Sequence, residues 1–139
     1  MTNRMTEDAL RQKYPHAFWW SFGDSANMAD ELAALVISGK KKATCCSLAA
    51  FEQEQLRPWV GSYHIVLNGA RQPACVIRTV AMQLIRFYDV TAELAQQEGE
   101  GDLSLRYWQD AHRAFFEREG TFAPAMELVF ERFALIETL

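Results

Sequence analysis

Residues 35–47 read LVISGKKKATCCS, and this stretch takes the chain from a helix into a sheet. Apolar residues recur at helical spacing from Met28 up to Gly39, and a glycine directly after such a pattern commonly ends a helix. The threonine and two cysteines after the lysines favour an extended strand. The stretch therefore predicts a helix over 25–38, a turn that carries three cations, and a strand over 42–48.

The three adjacent lysines, Lys40, Lys41 and Lys42, repel one another. Cations that follow a helix are stabilised by its dipole by about 0.3–1 kcal/mol each, so a solvated cap is the simplest interpretation. A lysine three residues before Thr44, at a helix-to-strand junction, can instead hold an ammonium beside a hydroxyl nucleophile. The residues alone leave both interpretations open.

An acidic loop of opposite charge, EGEGD, occupies residues 98–102. Glu98 is expected at the end of a short helix capped by Thr91, where the helix dipole disfavours an anion. The glycines let Glu98, Glu100 and Asp102 turn toward one point, so the loop predicts a divalent metal or the lysines as its cation. A solvated acidic loop is the plainer alternative.

Aromatic residues form a third cluster. Trp19, Trp20 and Phe22 offer a stacking surface for a nucleobase, although such residues more often pack in a core. The stripe of Leu105, Trp108, His112 and Phe115 has helical spacing and predicts a core-facing helix that Gly120 ends.

The remaining elements indicate an α+β fold in one domain over residues 1–139. A short helix after Thr6 ends before Pro15, and helices lie at both ends of a run of β segments, which favours a small barrel over a doubly wound sheet. The expected strands cover residues 62–68, 73–87 and 126–139, the first two joined as a hairpin through Asn68 and Gly69. A helix remains an alternative for the last of them.

Composition excludes several classes of protein. The net charge of −4 argues against nonspecific coating of nucleic acid, and the 139 residues hold no apolar run that would cross a membrane or act as a signal peptide, so a cytoplasmic protein is expected. Three cysteines, two of them adjacent, form neither a disulfide framework nor a zinc ligand set, and they are expected to be reduced thiols in strands. No HExxH, Walker, GxGxxG or GxSxG motif occurs, and no cofactor is expected.

Three separated motifs, together with AHRAFF at 111–116, resemble the ASCH domain family over about residues 18–137. These are FGDS at 22–25, the lysine turn, and EGEGDLSLRYW at 98–108. The resemblance implies a PUA-like β-barrel with helices packed around it, a fold tied to RNA recognition. One bacterial branch is similar to amidohydrolases that deacylate N4-acylcytidine with a lysine, a threonine and a glutamate, which would be Lys41, Thr44 and Glu98 here. Another branch resembles ribonucleases that act on single-stranded RNA.

The sequence departs from the family pattern at Lys42, where the motif usually has threonine. If the strand began at residue 41, alternation would place Lys42 with Thr44 and Lys41 on the other face. We follow the family and expect a turn that extends through Lys41.

The expected function is hydrolysis of an acyl amide on a modified cytidine, with Thr44 as nucleophile, Lys41 activating it and Glu98 holding Lys41 or moving a proton. The alternatives are a ribonuclease for single-stranded RNA, with metal ligands Glu98, Glu100 and Asp102, and a binding module without turnover. The expected partner is a modified nucleoside or RNA, with no membrane and no obligate protein partner. Residues expected to contact substrate are Trp19, Phe22, Asp24, Lys40, Lys42, Arg78, Ser104 and Tyr107.

Overall fold

A computed structural model describes residues 6–139 of the chain. The sequence predicts no signal peptide, and the first five residues of the N-terminus on which that prediction rests lie outside the described residues. Within that range the helices are α1 (Glu7–Lys13), α2 (Ala26–Ile37), α3 (Leu48–Gln53), α4 (Ala92–Glu98) and α5 (Leu105–Glu119). The strands are β1 (Phe18–Trp20), β2 (Ala43–Ser47), β3 (Tyr63–Leu67), β4 (Pro73–Arg86) and β5 (Glu127–Thr138). No helix of residues 6–139 is long and apolar enough to cross a bilayer.

The strands form one mixed sheet in the order β1-β3-β4-β5-β2. The β1–β3 pair is parallel and the other pairs are antiparallel. The long strands β4 and β5 lose register between Val76 and Ile77 and again between Thr79 and Ala81, and such irregularities bend and twist a sheet. The result is an α+β fold around a curled half-barrel, as the sequence predicted.

Local sequence signals explain most of the helix ends. The side chains of Ser25, Ser47, Thr91 and Ser104 each accept a hydrogen bond from a backbone N–H three residues later, which satisfies a free donor in the first turn of a helix. The predicted helix over 25–38 and the hairpin of β3 and β4 are confirmed, and the C-terminal segment is a strand rather than a helix. The cysteines are free thiols and lie in β2 and β4, as expected.

The aromatic residues bring one unpredicted strand and one correction. Phe18–Trp20 form a strand that the sequence did not predict, because they pair in parallel with β3, a contact distant in sequence. On α5, Trp108 is buried as predicted, but the core-facing phenylalanine is Phe116, whereas Phe115 is 41% exposed. At about 100° per residue, position 115 lies closer to Trp108 around the helix than position 116 does, so spacing alone selects the wrong phenylalanine. Phe116 is buried because it packs against Phe87, a contact distant in sequence.

The core lies on both faces of the sheet. One cluster packs α2 on the sheet through Leu32, Val36 and Val66, and a second packs α4 and α5 through Ala95, Trp108 and Phe116. A third packs α1 against β3 and β4 through Leu10, Ile65 and Val76. Because α2 and α4 flank the turn that precedes β2, these clusters fix the surroundings of the lysine turn.

Candidate active site

The turn between α2 and β2 separates the three lysines by burial. The backbone N–H groups of Lys40 and Lys41 both donate to the carbonyl of Leu35, and Gly39 takes a φ of +83°, so the chain reverses sharply after α2. Lys41 is 2% exposed, whereas its two neighbours are exposed. The strand begins only at Ala43, which resolves the question of alternation: the turn extends past Lys41 and points this side chain inward.

The C-terminus of α4 packs directly on this turn. The Lys42 N–H donates to the Gln97 carbonyl at 2.7 Å. Gly99 has a φ of +73°, and a Cβ there would lie 2.2 Å from the Lys40 carbonyl oxygen and 2.8 Å from the Lys41 Cα. Only glycine permits this approach, and the approach brings the carboxylates that flank Gly99 to Lys41.

The Lys41 ammonium lies between two carboxylates. Its Nζ is 2.8 Å from Oε2 of Glu100 and 3.5 Å from Oε1 of Glu98, and it also donates to the Glu98 carbonyl at 3.3 Å. The ammonium lies 5.4 Å from the ring centroid of Phe22. Two carboxylates therefore flank this side chain, and the anionic neighbours of the lysine run belong to the acidic loop.

Glu98 is buried and accepts several hydrogen bonds. Its Oε2 accepts from the Trp108 indole N–H, lies 3.2 Å from His112 Nε2, and lies 3.6 Å from the Cys45 sulfur. Burial alone would raise the pKa of this carboxyl, but the hydrogen bond from His112, the charge of Lys41 and the Trp108 donor outweigh it and lower the pKa. Glu98 is therefore an ionised carboxylate that anchors its neighbours.

His112 carries protons on both ring nitrogens in this arrangement. Its Nδ1 lies 2.9 Å from the Trp108 carbonyl oxygen, which only accepts hydrogen bonds, so Nδ1 is a donor. Its Nε2 faces the Glu98 carboxylate, which also only accepts. Burial would lower the pKa of His112, but the hydrogen bond and charge of Glu98 raise it above the usual value. The ring stacks on the Trp108 indole at 4.2 Å between centroids and is held as an imidazolium.

Three of these side chains also form a possible metal-ligand set. One ligand atom each from Cys45, Glu98 and His112 lies within 4.8 Å of the others. Thiolate, imidazole and carboxylate together suit a borderline metal such as zinc better than magnesium. Burial and the charge of Glu98 raise the pKa of the Cys45 thiol well above its usual value, so this sulfur is neutral unless a metal displaces its proton.

A cleft of about 360 Å³ opens onto this network. Thr44 lines it, and its hydroxyl has no hydrogen-bond partner within residues 6–139. In β2 Thr44 lies opposite Glu131 and Cys45 lies opposite Phe130, so their side chains point to opposite faces and Cys45 is the one that reaches Glu98. The residues that line the cleft include Phe22, Asp24, Met28, Lys41, Thr44, Cys45, Glu98, Glu100, Tyr107, His112, Phe115 and Arg118.

Of the residues predicted from sequence, the structure brings Phe22, Asp24, Lys41, Thr44, Glu98, Glu100 and Tyr107 to the cleft. Others are engaged elsewhere. Ser104 caps α5, and Asp102 accepts from the Ser104 N–H at 2.9 Å, so Asp102 does not join Glu98 and Glu100 as a metal ligand. Arg78 donates to the Gly61 carbonyl, and the Arg11 guanidinium lies 4.2 Å from the Trp19 ring centroid.

Lys40 and Lys42 lie on the outer side of the turn. Both are exposed, and with Gln96 and Gln97 they line a separate depression. Lys40 and Lys42 are therefore placed as solvent-exposed cations after the C-terminus of α2, whereas Lys41 is the lysine of the turn that faces the cleft.

Sequence reasoning missed two residues of the network, Cys45 and His112. Cys45 was assigned only as a strand thiol, and His112 only as a core residue of α5. One signal was present for the histidine: it follows Trp108 by four residues, so the two rings stack on the helix face that meets Glu98. No sequence signal indicates Cys45, because its contact depends on the register of β2 with β5.

Known proteins support this fold. Residues 18–137 match the ASCH domain family. An ASCH domain from Lactobacillus crispatus JV V101 is 33% identical with a TM-score of 0.81, and covers 94% of this chain and 86% of its own. A protein from Enterococcus faecalis V583 is 35% identical with a TM-score of 0.80, covering 95% and 90%. An ASCH protein from Zymomonas mobilis, 11% identical with a TM-score of 0.54 over 78% of this chain and 67% of its own, shares the fold alone. No curated protein matches the chain.

Proposed function

The chain belongs to the ASCH domain family, and from this premise we propose that it is a hydrolase of RNA-related nucleosides that cleaves acyl amides of the N4-acylcytidine type. The observation that carries the proposal is the buried Lys41 ammonium, held by Glu98 and Glu100 in a cleft that Thr44 also lines. Both residues border this cleft, and a fixed cation and a hydroxyl that open onto one cleft are the two groups that acyl transfer requires. The cleft volume of about 360 Å³ is at the small end of ligand pockets and suits one nucleoside rather than a folded RNA.

In the proposed reaction the Thr44 hydroxyl attacks the acyl carbonyl. Lys41 stabilises the negative charge that develops on the carbonyl oxygen, a contribution worth about 10² to 10³ in rate where single donors have been removed from such sites. Glu100 is one-quarter exposed and contacts Lys41, so it is the carboxylate suited to accept the threonine proton.

The departing amine takes a proton in the same reaction. Glu100, which has accepted the threonine proton, is suited to pass it to the amine, because both ring nitrogens of His112 already donate, to Trp108 and to Glu98. Glu98 already accepts from Trp108 and His112, so its role is to hold Lys41 and His112 in place rather than to shuttle protons. Water then attacks the acyl-threonine carbonyl: Glu100 takes a proton from this water and gives it to the Thr44 oxygen as the ester bond breaks, which releases the carboxylic acid and restores the threonine hydroxyl.

The test compares two lysines that differ by one position. Hydrolysis of N4-acetylcytidine is measured for wild type, Lys41→Met and Lys42→Met, with Thr44→Val as a third variant that keeps the strand. We expect Lys41→Met and Thr44→Val to lose about 10²-fold or more in kcat/KM, and Lys42→Met to stay within about threefold of wild type. Circular dichroism and thermal melting check that each variant is folded.

Loss of turnover in Lys42→Met, with turnover retained in Lys41→Met, would contradict the assignment. Thr44→Val matters equally, because retained turnover there would rule out a threonine nucleophile even if Lys41→Met proved too unstable to assay.

A second candidate function is cleavage of single-stranded RNA. The close approach of Cys45, Glu98 and His112 favours it, since these side chains would give a metal three ligands beside the cleft once the Cys45 sulfur and the His112 Nε2 had released their protons. A chelator separates the two functions: hydrolysis of N4-acetylcytidine is expected to persist in it, whereas metal-dependent cleavage of a labelled RNA would stop. Binding of either substrate without turnover would leave the domain as a binding module.

A further inference from the structure

A second pocket lies where the two edges of the curled sheet meet. Three strands separate β1 from β2 within the sheet, yet Trp20 of β1 and Cys46 of β2 line one cavity of about 410 Å³. The sheet therefore curls until its edges face each other, and the cavity fills the seam between them. This seam pocket is lined by Phe18, Trp19, Trp20, Cys46, Ala50, Phe51, Glu54, Leu56, Pro58, His64 and Glu131.

Aromatic side chains form much of the wall of the seam pocket. Phe18 and Trp20 come from β1, and Phe51 comes from α3. The Trp20 indole N–H already donates to His64 Nδ1 at 2.9 Å, so its ring acts here as an apolar surface. Burial lowers the pKa of His64 to about 4, and its Nε2 lies 3.0 Å from the Thr79 hydroxyl, so this histidine is neutral and brings no positive charge.

The charges of the seam pocket are of one sign. Its lining includes Glu54 and Glu131 and contains neither lysine nor arginine. The Oε1 atom of Glu131 is shielded from solvent and has no hydrogen-bond partner within residues 6–139. Burial raises the pKa of Glu131 to about 7, which measures how poorly the surroundings solvate its charge. This partly buried carboxyl lacks the cation that would normally accompany a shielded carboxylate oxygen.

We propose that the seam pocket binds a small organic cation, an alkylated ammonium, whose charge pairs with Glu131 and whose alkyl groups contact Phe18, Trp20 and Phe51. Aromatic faces and a carboxylate attract such a cation together, and alkyl groups avoid the cost of stripping water from a bare ammonium. The Phe51 ring already attracts a cation of the chain itself, because the Arg57 guanidinium carbon lies 5.8 Å from its centroid. A phosphorylated ligand is disfavoured, since no lining side chain would neutralise the phosphate.

This site is separate from the proposed hydrolase cleft in residues and in chemistry. None of the seam pocket residues lines the cleft that holds Lys41 and Glu98. The proposal therefore stands or falls independently of the hydrolysis of acylcytidines.

The test uses choline and its uncharged carbon isostere, 3,3-dimethylbutan-1-ol, which have nearly the same shape. Binding is measured by calorimetry and by the NMR shift of the Trp20 indole N–H. We expect saturable binding of choline and an affinity for the isostere that is weaker by about tenfold or more, because the isostere has no charge to pair with Glu131.

Variants locate the binding site. Glu131→Gln is expected to weaken choline about tenfold or more, and Phe51→Leu to weaken it several-fold, about three to ten times. The matched control is Glu127→Gln, an exposed glutamate of the same strand, which is expected to leave the affinity unchanged. Thermal melting confirms that the variants fold.

Several results would overturn the proposal. These are the absence of saturable choline binding to wild type, equal affinity for choline and its isostere, or an unchanged affinity in Glu131→Gln. If Glu131→Gln did not fold, Phe51→Leu would test the proposal by itself. Unchanged choline affinity in that variant would show that the aromatic wall does not contact the ligand, and the proposal would be wrong.

Discussion

At the scale of single residues, Lys41 shows how position gives one lysine a role that its neighbours lack. Lys40, Lys41 and Lys42 are chemically identical, but the turn after Gly39 buries only the middle side chain. A buried ammonium requires anions, and Glu98 and Glu100 provide two. Burial removes water from the Lys41 ammonium, which costs desolvation free energy. The same burial strengthens the interactions of this charge within the cleft, because fewer waters screen it.

The pairing of Glu98 with His112 predicts how stability depends on pH. The pKa of Glu98 is lowered on folding, so its contribution is present above the unfolded value of 4.5 and lost as the pH falls through the folded pKa. The pKa of His112 is raised on folding, so its contribution is complete below the unfolded value of 6.5 and lost as the pH rises through the folded pKa. The pair therefore stabilises the fold most fully between these two values.

Replacing His112 tests this pH dependence. In wild type we expect the free energy of unfolding to fall between about pH 6 and pH 9 as His112 loses its proton, because folding raises the pKa of this imidazole above its unfolded value. His112→Phe keeps an aromatic ring against Trp108 and should lack this alkaline component, whereas the exposed His16→Gln should keep it. Urea denaturation at both pH values measures the difference. Equal pH dependence in wild type and His112→Phe would show that folding does not raise the pKa of His112.

At the scale of elements, the contact between the end of α4 and the lysine turn assembles the cleft. Gly99 and Gly39 both have positive φ, but a Cβ at Gly39 would meet nothing within 4 Å, whereas one at Gly99 would meet the backbone of Lys40 and Lys41. The two positions therefore separate the cost of left-handed backbone from the cost of lost packing.

Alanine substitution at these two glycines measures that difference. Gly39→Ala should lose only the left-handed penalty, about 1–2 kcal/mol in the free energy of unfolding. Gly99→Ala should lose more stability than this, because the added Cβ would meet backbone atoms of Lys40 and Lys41, which cannot move aside as a flexible side chain can. This variant should also reduce turnover of N4-acetylcytidine, because it displaces Glu98 and Glu100 from Lys41. Chemical denaturation and the hydrolysis assay are run on both variants. Equal losses would mean that α4 and the turn can separate without consequence.

The elements that the sequence predicted are those with local causes. The caps at Ser25 and Thr91 and the helical period of α2 depend on residues within a few positions of each other. The features that could not be predicted from the sequence depend on contacts between distant residues. These features are the parallel pairing of β1 with β3, the contact of Cys45 with Glu98, and the shielding of the Glu131 carboxylate oxygen from solvent. Asp102 was concealed for another reason, since its carboxylate turns back to the Ser104 N–H instead of toward Glu98.

At the scale of the whole molecule, the fold extends beyond the region that matches the family. The match begins at residue 18, whereas α1 covers Glu7–Lys13. Leu10 of α1 is fully buried against Ile65 and Val76, and Lys13 bonds to Glu137 of the last strand at 2.9 Å. The N-terminal helix therefore covers one face of the half-barrel that the β3–β4 hairpin would otherwise expose.

Substitution within α1 tests whether this helix belongs to the cooperative fold. Leu10→Ala removes buried methyl groups and leaves a cavity above β3 and β4, so we expect a loss of about 2–4 kcal/mol in the free energy of unfolding. Gln12→Ala is the matched control, because Gln12 is exposed on the same helix and its replacement should change stability by less than about 0.5 kcal/mol. Urea denaturation, followed by tryptophan fluorescence and by far-ultraviolet circular dichroism, reports the two variants. If Leu10→Ala and Gln12→Ala had the same free energy of unfolding, α1 would lie outside the cooperative unit and residues 18–137 would fold without it. A single unfolding transition that shifts only in Leu10→Ala would place α1 within the same core as the sheet.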